Sequence, residues 1–426
     1  MKVLNLNPSD PFYSSGGAVA MYSLHLGLRK AEIDSKILCK LKKIESSHIQ
    51  QIPRNKRIKI VEFLIKQVTS RSGLNDIDAV NTFNIKKTNA YQEADIFHIH
   101  GMHRGYSYLA LPSLTEHKPT VFTLHDMWSF TGHCSYSYDC DRWKIGCGKC
   151  PYPKTHPAVE RDNTHLEWKL KDWVYSRSNM TIITPSSWMT KLAKESLLQR
   201  FPIHHIPNGI DTEIYQPLDS QMCRSVLGVP SGKKALMFVA ASLQERRKGG
   251  DLLTQALKSL PESVKTQIVL LLIGNGGEAL AEAVDIPTLN FGFVTDKRLK
   301  TICYSAADLF IFPSREDNLP LVLQESMACG TPMVSFKIGG IPDLVRPGIT
   351  GYLAEAENVE DFRNGIVQLL DDDSLRQEMS QQCRAIAEKE YSSELQIQRH
   401  IELYRQLLQY DVKEDINYSS FPCALA

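Results

Sequence analysis

Short apolar runs of strand length recur along the whole chain, each followed by an amphipathic stretch, and this alternation is what most restricts the fold. Strands that arrive singly between helices pair in parallel and need helices over both faces of the sheet. The class is therefore α/β. In the first half, Val3–Asn7, Lys36–Cys39, Asp95–His100, Thr120–His125, Thr181–Thr184 and His204–Ile206 read as strands, and Val19, Tyr22 and Leu26 mark one face of the helix after the first. An Asn-Gly turn and Pro217 then break the periodicity. A second series follows at Leu236–Ala241, Ile268–Ile273, Thr288–Phe291, Leu309–Pro313, Met333–Phe336 and Gly351–Leu353. Two doubly wound units in tandem are expected, 1–212 and 213–390, with a closing helix at about 391–412 packing back on the first. Ligands of such sheets lie off the carboxyl ends of the strands, which makes the cleft between the units the expected site.

Charge narrows the partners. Lys and Arg number 49 against 48 Asp and Glu, so no net charge drives the chain toward nucleic acid. The opening MKVLNLNPSD lacks an apolar signal core, and no apolar run, that from Ile268 to Ile273 included, is nearly long enough to span a bilayer. A cytoplasmic protein is expected. Six of the ten cysteines, Cys39, Cys223, Cys303, Cys329, Cys383 and Cys423, are scattered, whereas four cluster between 134 and 150.

The densest chemistry lies in FPSREDNLPLVLQESMACGTPMV, 312–334. A buried strand ends at Pro313, a polar loop carries Glu316 and Asp317, and a helix is expected from about Leu319, its amino end able to hold an anion. Glu325 follows two turns in, placed for ligand hydroxyls. Upstream stand Gly16 and Gly17, which let backbone approach a diphosphate. His98 and His100 lie one pleat apart, His103 follows, and His125 ends the next strand. His98 reads as a packed histidine and His125 as the cleft residue. Lys248, in RRKGG at 246–250, can neutralise a departing diphosphate.

These blocks resemble the retaining glycosyltransferases of family 4, of GT-B fold, with two Rossmann-like domains facing across a cleft. The family signature is an acidic residue, seven residues, then Glu and Ala-x-Gly-x-Pro; here it reads Asp317, Glu325 and Ala328 to Pro332. PNGID at 207–211 and GGIPDLV at 339–345 follow the family order. The resemblance implies that Asp317 touches the donor sugar, that Glu325 holds the nucleotide ribose, that Asn318, Leu319, Gly16 and Gly17 bind donor, and that His125 meets the sugar or the reaction centre. His100 and His103 fall on the acceptor side. The family's diphosphate-binding Arg is replaced by Ser242, so Arg247 or Arg246 is expected to supply that charge. The implied activity is transfer of a hexose, with retention, from a nucleotide diphosphate sugar to a glycan or lipid-linked acceptor in polysaccharide or glycoconjugate biosynthesis, with no metal needed for catalysis. A donor-hydrolysing epimerase and a non-catalytic sugar-nucleotide sensor are the other readings.

Two features stand outside that scheme. Cys134, Cys140, Cys147 and Cys150 have the spacing of a tetrahedral thiolate site for structural zinc, with redox activity or no ligand as alternatives. Between Lys40 and Arg71, the bases Lys40, Lys42, Lys43, Arg54, Lys56, Arg57, Lys59, Lys66 and Arg71 face only Glu45 and Glu62, and IVEFLIKQV within the stretch reads as an amphipathic segment. Peripheral contact with the inner face of a membrane is one expectation for it; a solvated loop is the other.

Overall fold

The computed structural model describes residues 1–10 and 16–418, with side chains up to 409, so Cys423 lies outside the described residues. The chain divides into two compact units, 1–207 with 394 onward, and 208–393.

In the first unit, β1 (Lys2–Ser9), β2 (Asp34–Leu41), β3 (Ile49–Gln51), β4 (Ile96–Ile99), β5 (Thr120–Thr123), β6 (Thr181–Thr184) and β7 (Ile203–His205) form a parallel sheet in the order β3-β2-β1-β4-β5-β6-β7. Every residue of β4, β5 and β6 is buried, as in sheets covered on both faces. Asp95–His100 and Thr120–His125 were expected as strands. The ladder stops earlier, at Ile99 and Thr123, so His100 and His125 sit beyond the strand ends. The helix Ser393–Tyr418 packs on this sheet, its Leu403 and Tyr404 joining Val3, Leu24, Ile96 and Val121 in one apolar cluster.

The second unit holds β8 (Lys234–Ser242), β9 (Ile268–Asn275), β10 (Thr288–Asn290), β11 (Leu309–Phe312), β12 (Met333–Phe336) and β13 (Gly351–Ala354), all parallel, in the order β10-β9-β8-β11-β12-β13. The run IVLLLI of β9 explains itself here: Val269, Leu271 and Ile273 enter one core, Ile268, Leu270 and Leu272 the other. Each such side chain is worth about 1.5–3 kcal/mol on burial.

Each order reverses direction at one point, between β1 and β4 and between β8 and β11. In such sheets it is at this reversal, between the loops after the strands on either side, that ligands bind.

The division falls at 207/208 and 393/394, not at 212/213 and 390/391. The reason is a stitch: the Ile210 N–H donates to the Tyr391 carbonyl at 2.8 Å and the Ser393 N–H to the Ile210 carbonyl at 2.9 Å, so the segment from Asn208 belongs with the second unit.

Candidate functional site

The two loops flanking the β8/β11 reversal are tied together by backbone. After β8 the chain makes a short turn, Arg246–Lys248, then Gly249 at φ +71, then the helix Gly250–Lys258. A side chain at Gly249 would stand 1.9 Å from the Pro313 carbonyl oxygen, so only glycine lets the turn close on the β11 end. The Arg315 N–H and the Ser314 hydroxyl both donate to the Arg247 carbonyl, at 2.8 and 3.0 Å, and the Arg315 guanidinium donates to the Arg246 carbonyl at 2.7 Å. Lys248 therefore lies in the turn before the helix.

This clamp sets three charges side by side. Lys248 Nζ lies 2.7 Å from Asp317 Oδ2, and Arg247 Nη1 lies 3.1 Å from the same oxygen. Asp317 Oδ1 accepts the Asn318 N–H at 3.0 Å. Burial pushes the Asp317 carboxyl up, but Lys248 and Arg247 outweigh it and hold it below the usual range. Burial lowers the Lys248 ammonium against the pull of Asp317. Glu316, half-buried beside them, is pushed up to about 7, by burial first and then by the Asp317 charge. Arg246 goes elsewhere: with Gln244, Asp251, Thr254 and Gly276 it lines a cavity of about 320 Å3. Of the two candidates for the second cation, Arg247 is the one brought to Lys248.

The helix after this loop begins at Leu321, two residues later than expected. Pro320 is extended at φ −66, ψ 120 and disfavours a helical Leu319 before it. Pro320 at the N-cap offers no side-chain cap, and the leading amides of the helix face back toward the loop that holds Asp317 and Asn318. Glu325, in the second turn, is 6% exposed and carries three donors: Tyr215 Oη at 2.9 Å and Lys300 Nζ at 2.5 Å on Oε1, and Tyr304 Oη at 3.0 Å on Oε2. A carboxylate offers about four lone-pair sites, which leaves room on Oε2 for one more hydroxyl.

At the β1/β4 reversal the first unit gathers imidazoles. His100 Nδ1 lies 3.2 Å from His125 Nε2, and His100 Nε2 lies 3.3 Å from Asn5 Oδ1. His98 is held by Tyr404 Oη at 2.6 Å and Thr123 Oγ1 at 2.7 Å, and its ring lies 3.9 Å from that of His100. Burial lowers all three, His125 to about 4, so they are neutral near pH 7. Gly17 opens the helix Gly16–Lys30, and a side chain there would meet the His125 ring at 3.1 Å. His103 stands apart, 3.3 Å from Asp126 Oδ2; burial opposes its charge, but Asp126 raises it overall.

Two family models match in tandem: "Glycosyltransferase Family 4" over residues 14–214 and "Glycosyl transferases group 1" over 223–386. The chain belongs to the glycosyltransferases of group 1. It is 28% identical over 73% of its length, and 76% of the relative, to the putative colanic acid biosynthesis glycosyl transferase WcaC of Escherichia coli. It is 26% identical to the N-acetyl-alpha-D-glucosaminyl L-malate synthase of Bacillus anthracis over 50% of this chain and 55% of that one. The fold is GT-B. Solved structures of like fold include sucrose-phosphate synthase from Thermosynechococcus elongatus, with TM-score 0.69 and 18% identity over 96% of this chain and all of that one. Anabaena HepE in complex with UDP-glucose follows at TM-score 0.65 and 16% identity over 95% of this chain and 100% of that one.

In this glycosyltransferase the four clustered cysteines lie on the long loop after β5, all as free thiols. Cys147 Sγ accepts the Gly132 N–H at 3.2 Å, and Cys150 Sγ lies 3.2 Å from Nε2 of His133, whose Nδ1 is 2.8 Å from the Pro157 carbonyl. Residues 146–149 all take positive φ, at 122, 53, 81 and 46 degrees, an arrangement that costs the non-glycine Cys147 and Lys149 energy. Burial raises Cys134 to about 12 and Cys147 to about 11, and the neighbouring thiols add to both shifts. Among the described residues, however, no three His, Cys, Asp or Glu side chains stand as a ready metal-ligand set.

Sequence reasoning missed Lys300, Tyr215 and Tyr304. Their signal exists only in space, because they come from two other segments and meet at Glu325.

Proposed function

We propose that this glycosyltransferase moves a hexose, with retention of configuration, from a nucleotide diphosphate sugar to a glycan or lipid-linked acceptor during glycoconjugate biosynthesis in the cytoplasm. The observation that carries the reading is the pairing of Lys248 and Arg247 on Asp317 at the β8/β11 crevice. Two cations anchored by one carboxylate, beside uncapped helix amides, suit a diphosphate whose charge grows as it leaves. In the proposed reaction the acceptor oxygen bonds to the anomeric carbon on the face the diphosphate leaves. The bond from that carbon to phosphate oxygen breaks with its electron pair going to the diphosphate, and a phosphate oxygen takes the acceptor proton. Glu325 would hold the ribose and Asp317, with Asn318 and Leu319, the sugar. Gly16, Gly17 and His125 keep their proposed donor roles, and His100 and His103 the acceptor side. Lys248 and Arg247 supply the positive charge, so the proposal needs no catalytic metal.

UDP and UDP-glucose are named with the HepE structures, which makes UDP-sugars the first donors to try. Thermal stabilisation by UDP-, GDP- and ADP-sugars identifies the donor, since a ligand at a hundred times its Kd adds about 2.7 kcal/mol. Product analysis with and without acceptor then separates transfer from hydrolysis. Stabilisation with no turnover of any donor sinks the catalytic reading in favour of a sensor.

We also propose that the thiol cluster takes one structural zinc ion. The gathering of four thiols, the His133 ring oriented by a backbone carbonyl, and the strained 146–149 turn all support it. The ion would draw the sulfurs inward and hold the loop without an open position for water. About one zinc per chain is expected on metal analysis, as a closed site requires, and Cys147→Ser with Cys150→Ser should lose it. A metal-free native protein ends this proposal.

A further inference from the structure

The helix Lys56–Arg71 is built inside out. Asn55 caps it, its side-chain oxygen accepting the Ile58 N–H at 2.9 Å, so it is a well-started helix and not a solvated loop. Its two buried residues are Glu62 and Thr69. Glu62 pairs with Arg54 and accepts the Asn81 N–H at 3.1 Å. The large apolar side chains point the other way: Ile60, Phe63 and Leu64 are each 59% exposed, Val68 66% and Val61 46%. Ile60, Leu64 and Val68 recur every four residues, with Val61 and Phe63 on their flanks, so all five fall within an arc of about 160° at 100° per residue. The centre of that arc lies opposite the stripe of Glu62 and Thr69. Five aliphatic or aromatic residues side by side in water are unusual on a surface, and such patches mark contacts.

The charge around the patch says which contact. Lys56, Arg57, Lys59, Lys66 and Arg71 all lie on this helix and are exposed, none of them is in a salt bridge among the described residues, and the helix's single acid is turned inward onto Arg54. An apolar face rimmed by unpaired cations is the pattern of helices that lie in a lipid interface, with the apolar side chains among the acyl chains and the bases at anionic headgroups. A protein partner with a complementary apolar groove would not require five cations, and a second copy of the same helix would bring like charges together.

We propose that the outward face of Lys56–Arg71 docks the protein on an anionic lipid surface. Among the described residues no helix is long and apolar enough to cross a membrane, so this contact is peripheral. It stands apart from the reading of the donor site and can fail without it.

The test is sedimentation of the full chain with vesicles of phosphatidylcholine alone and with phosphatidylglycerol added, at low and high salt. Binding is expected to the mixed vesicles at low salt and to fall about tenfold or more in high salt, as screened headgroup attraction requires. Ile60→Ser with Leu64→Ser, both on exposed positions, should lower the bound fraction at least about tenfold by removing apolar insertion, with donor-induced thermal stabilisation intact. Ile145→Ser, at a residue 84% exposed elsewhere on the surface, should change nothing. Equal binding by wild type and the double variant overturns the proposal. So does a wild-type dimer that the double variant dissolves without any lipid binding, because the face then belongs to a second copy.

Discussion

The two units use one architecture and treat polar groups at its reversal point in opposite ways. At β1/β4 the first unit lines up His98, His100 and His125 as neutral rings, each hydrogen-bonded. At β8/β11 the second unit stores full charges, Lys248 and Arg247 on Asp317 and Lys300 on Glu325. Neutral rings can be buried cheaply once hydrogen-bonded, whereas buried charges persist only in compensated sets. A compensated set can be re-partnered by a charged ligand. The first unit is thus suited to shape and hydroxyl recognition, and the second to an anion.

The sharpest way to break this contrast is Lys248→Ala. Removing one donor to developing charge typically costs about 10²–10³ in turnover, and initial-rate assays should show a loss of that size while folding survives on the remaining Arg247–Asp317 pair. Unchanged turnover would mean that the ion pairs are scaffolding. His98→Phe should do the reverse. It leaves the Tyr404 and Thr123 hydroxyls without their partner, each worth about 1–3 kcal/mol when stranded, so denaturant melts should shift by about 2–6 kcal/mol with turnover of the folded protein kept within about twofold. Glu325→Gln keeps the shape but strands Lys300. Nucleotide affinity should drop about tenfold, as the loss of one charge-assisted bond of about 1.5 kcal/mol implies, with a smaller effect on the rate at saturation.

The smallest effect concerns pH. Glu316 titrates at about 7 in the folded chain, against 4.5 in the open chain. The fold therefore favours its protonated form, and the stability it contributes is present below the open-chain value and lost as pH rises through about 7. An anionic donor feels the same change. Its affinity should fall a few-fold between pH 6 and 8, since one added like charge near a surface is worth about 1 kcal/mol or less, and calorimetry on Glu316→Gln should find that dependence gone.

Most strands were legible because parallel sheets demand apolar runs of strand length, as at Ile268–Ile273 and Leu309–Phe312. β3 was not, because its three residues, Ile49, Gln50 and Gln51, form an edge with one buried side chain. Asp317, Glu325 and Lys248 were singled out from a linear pattern. The choice of Arg247 over Arg246 was not in that pattern, since it depends on how the 246–248 turn is fastened to Ser314 and Arg315. His98 was expected to be a packed ring, but its partner Tyr404 is 306 residues away, beyond the reach of any local spacing. The domain boundary moved for a similar reason, through the bonds between Ile210 and the segment 391–393.

That distant tyrosine sets an order on synthesis. Tyr404 and Leu403 belong to the cluster that covers Val3, Ile96 and Val121, and they leave the ribosome only after the entire 208–393 segment has emerged. The second unit is continuous and can complete its core while translation proceeds; the first must wait, with part of one sheet face uncovered, for the helix from Ser393 to arrive. Nascent chains stalled before residue 393 should accordingly recruit chaperones to the older half of the protein, not the younger.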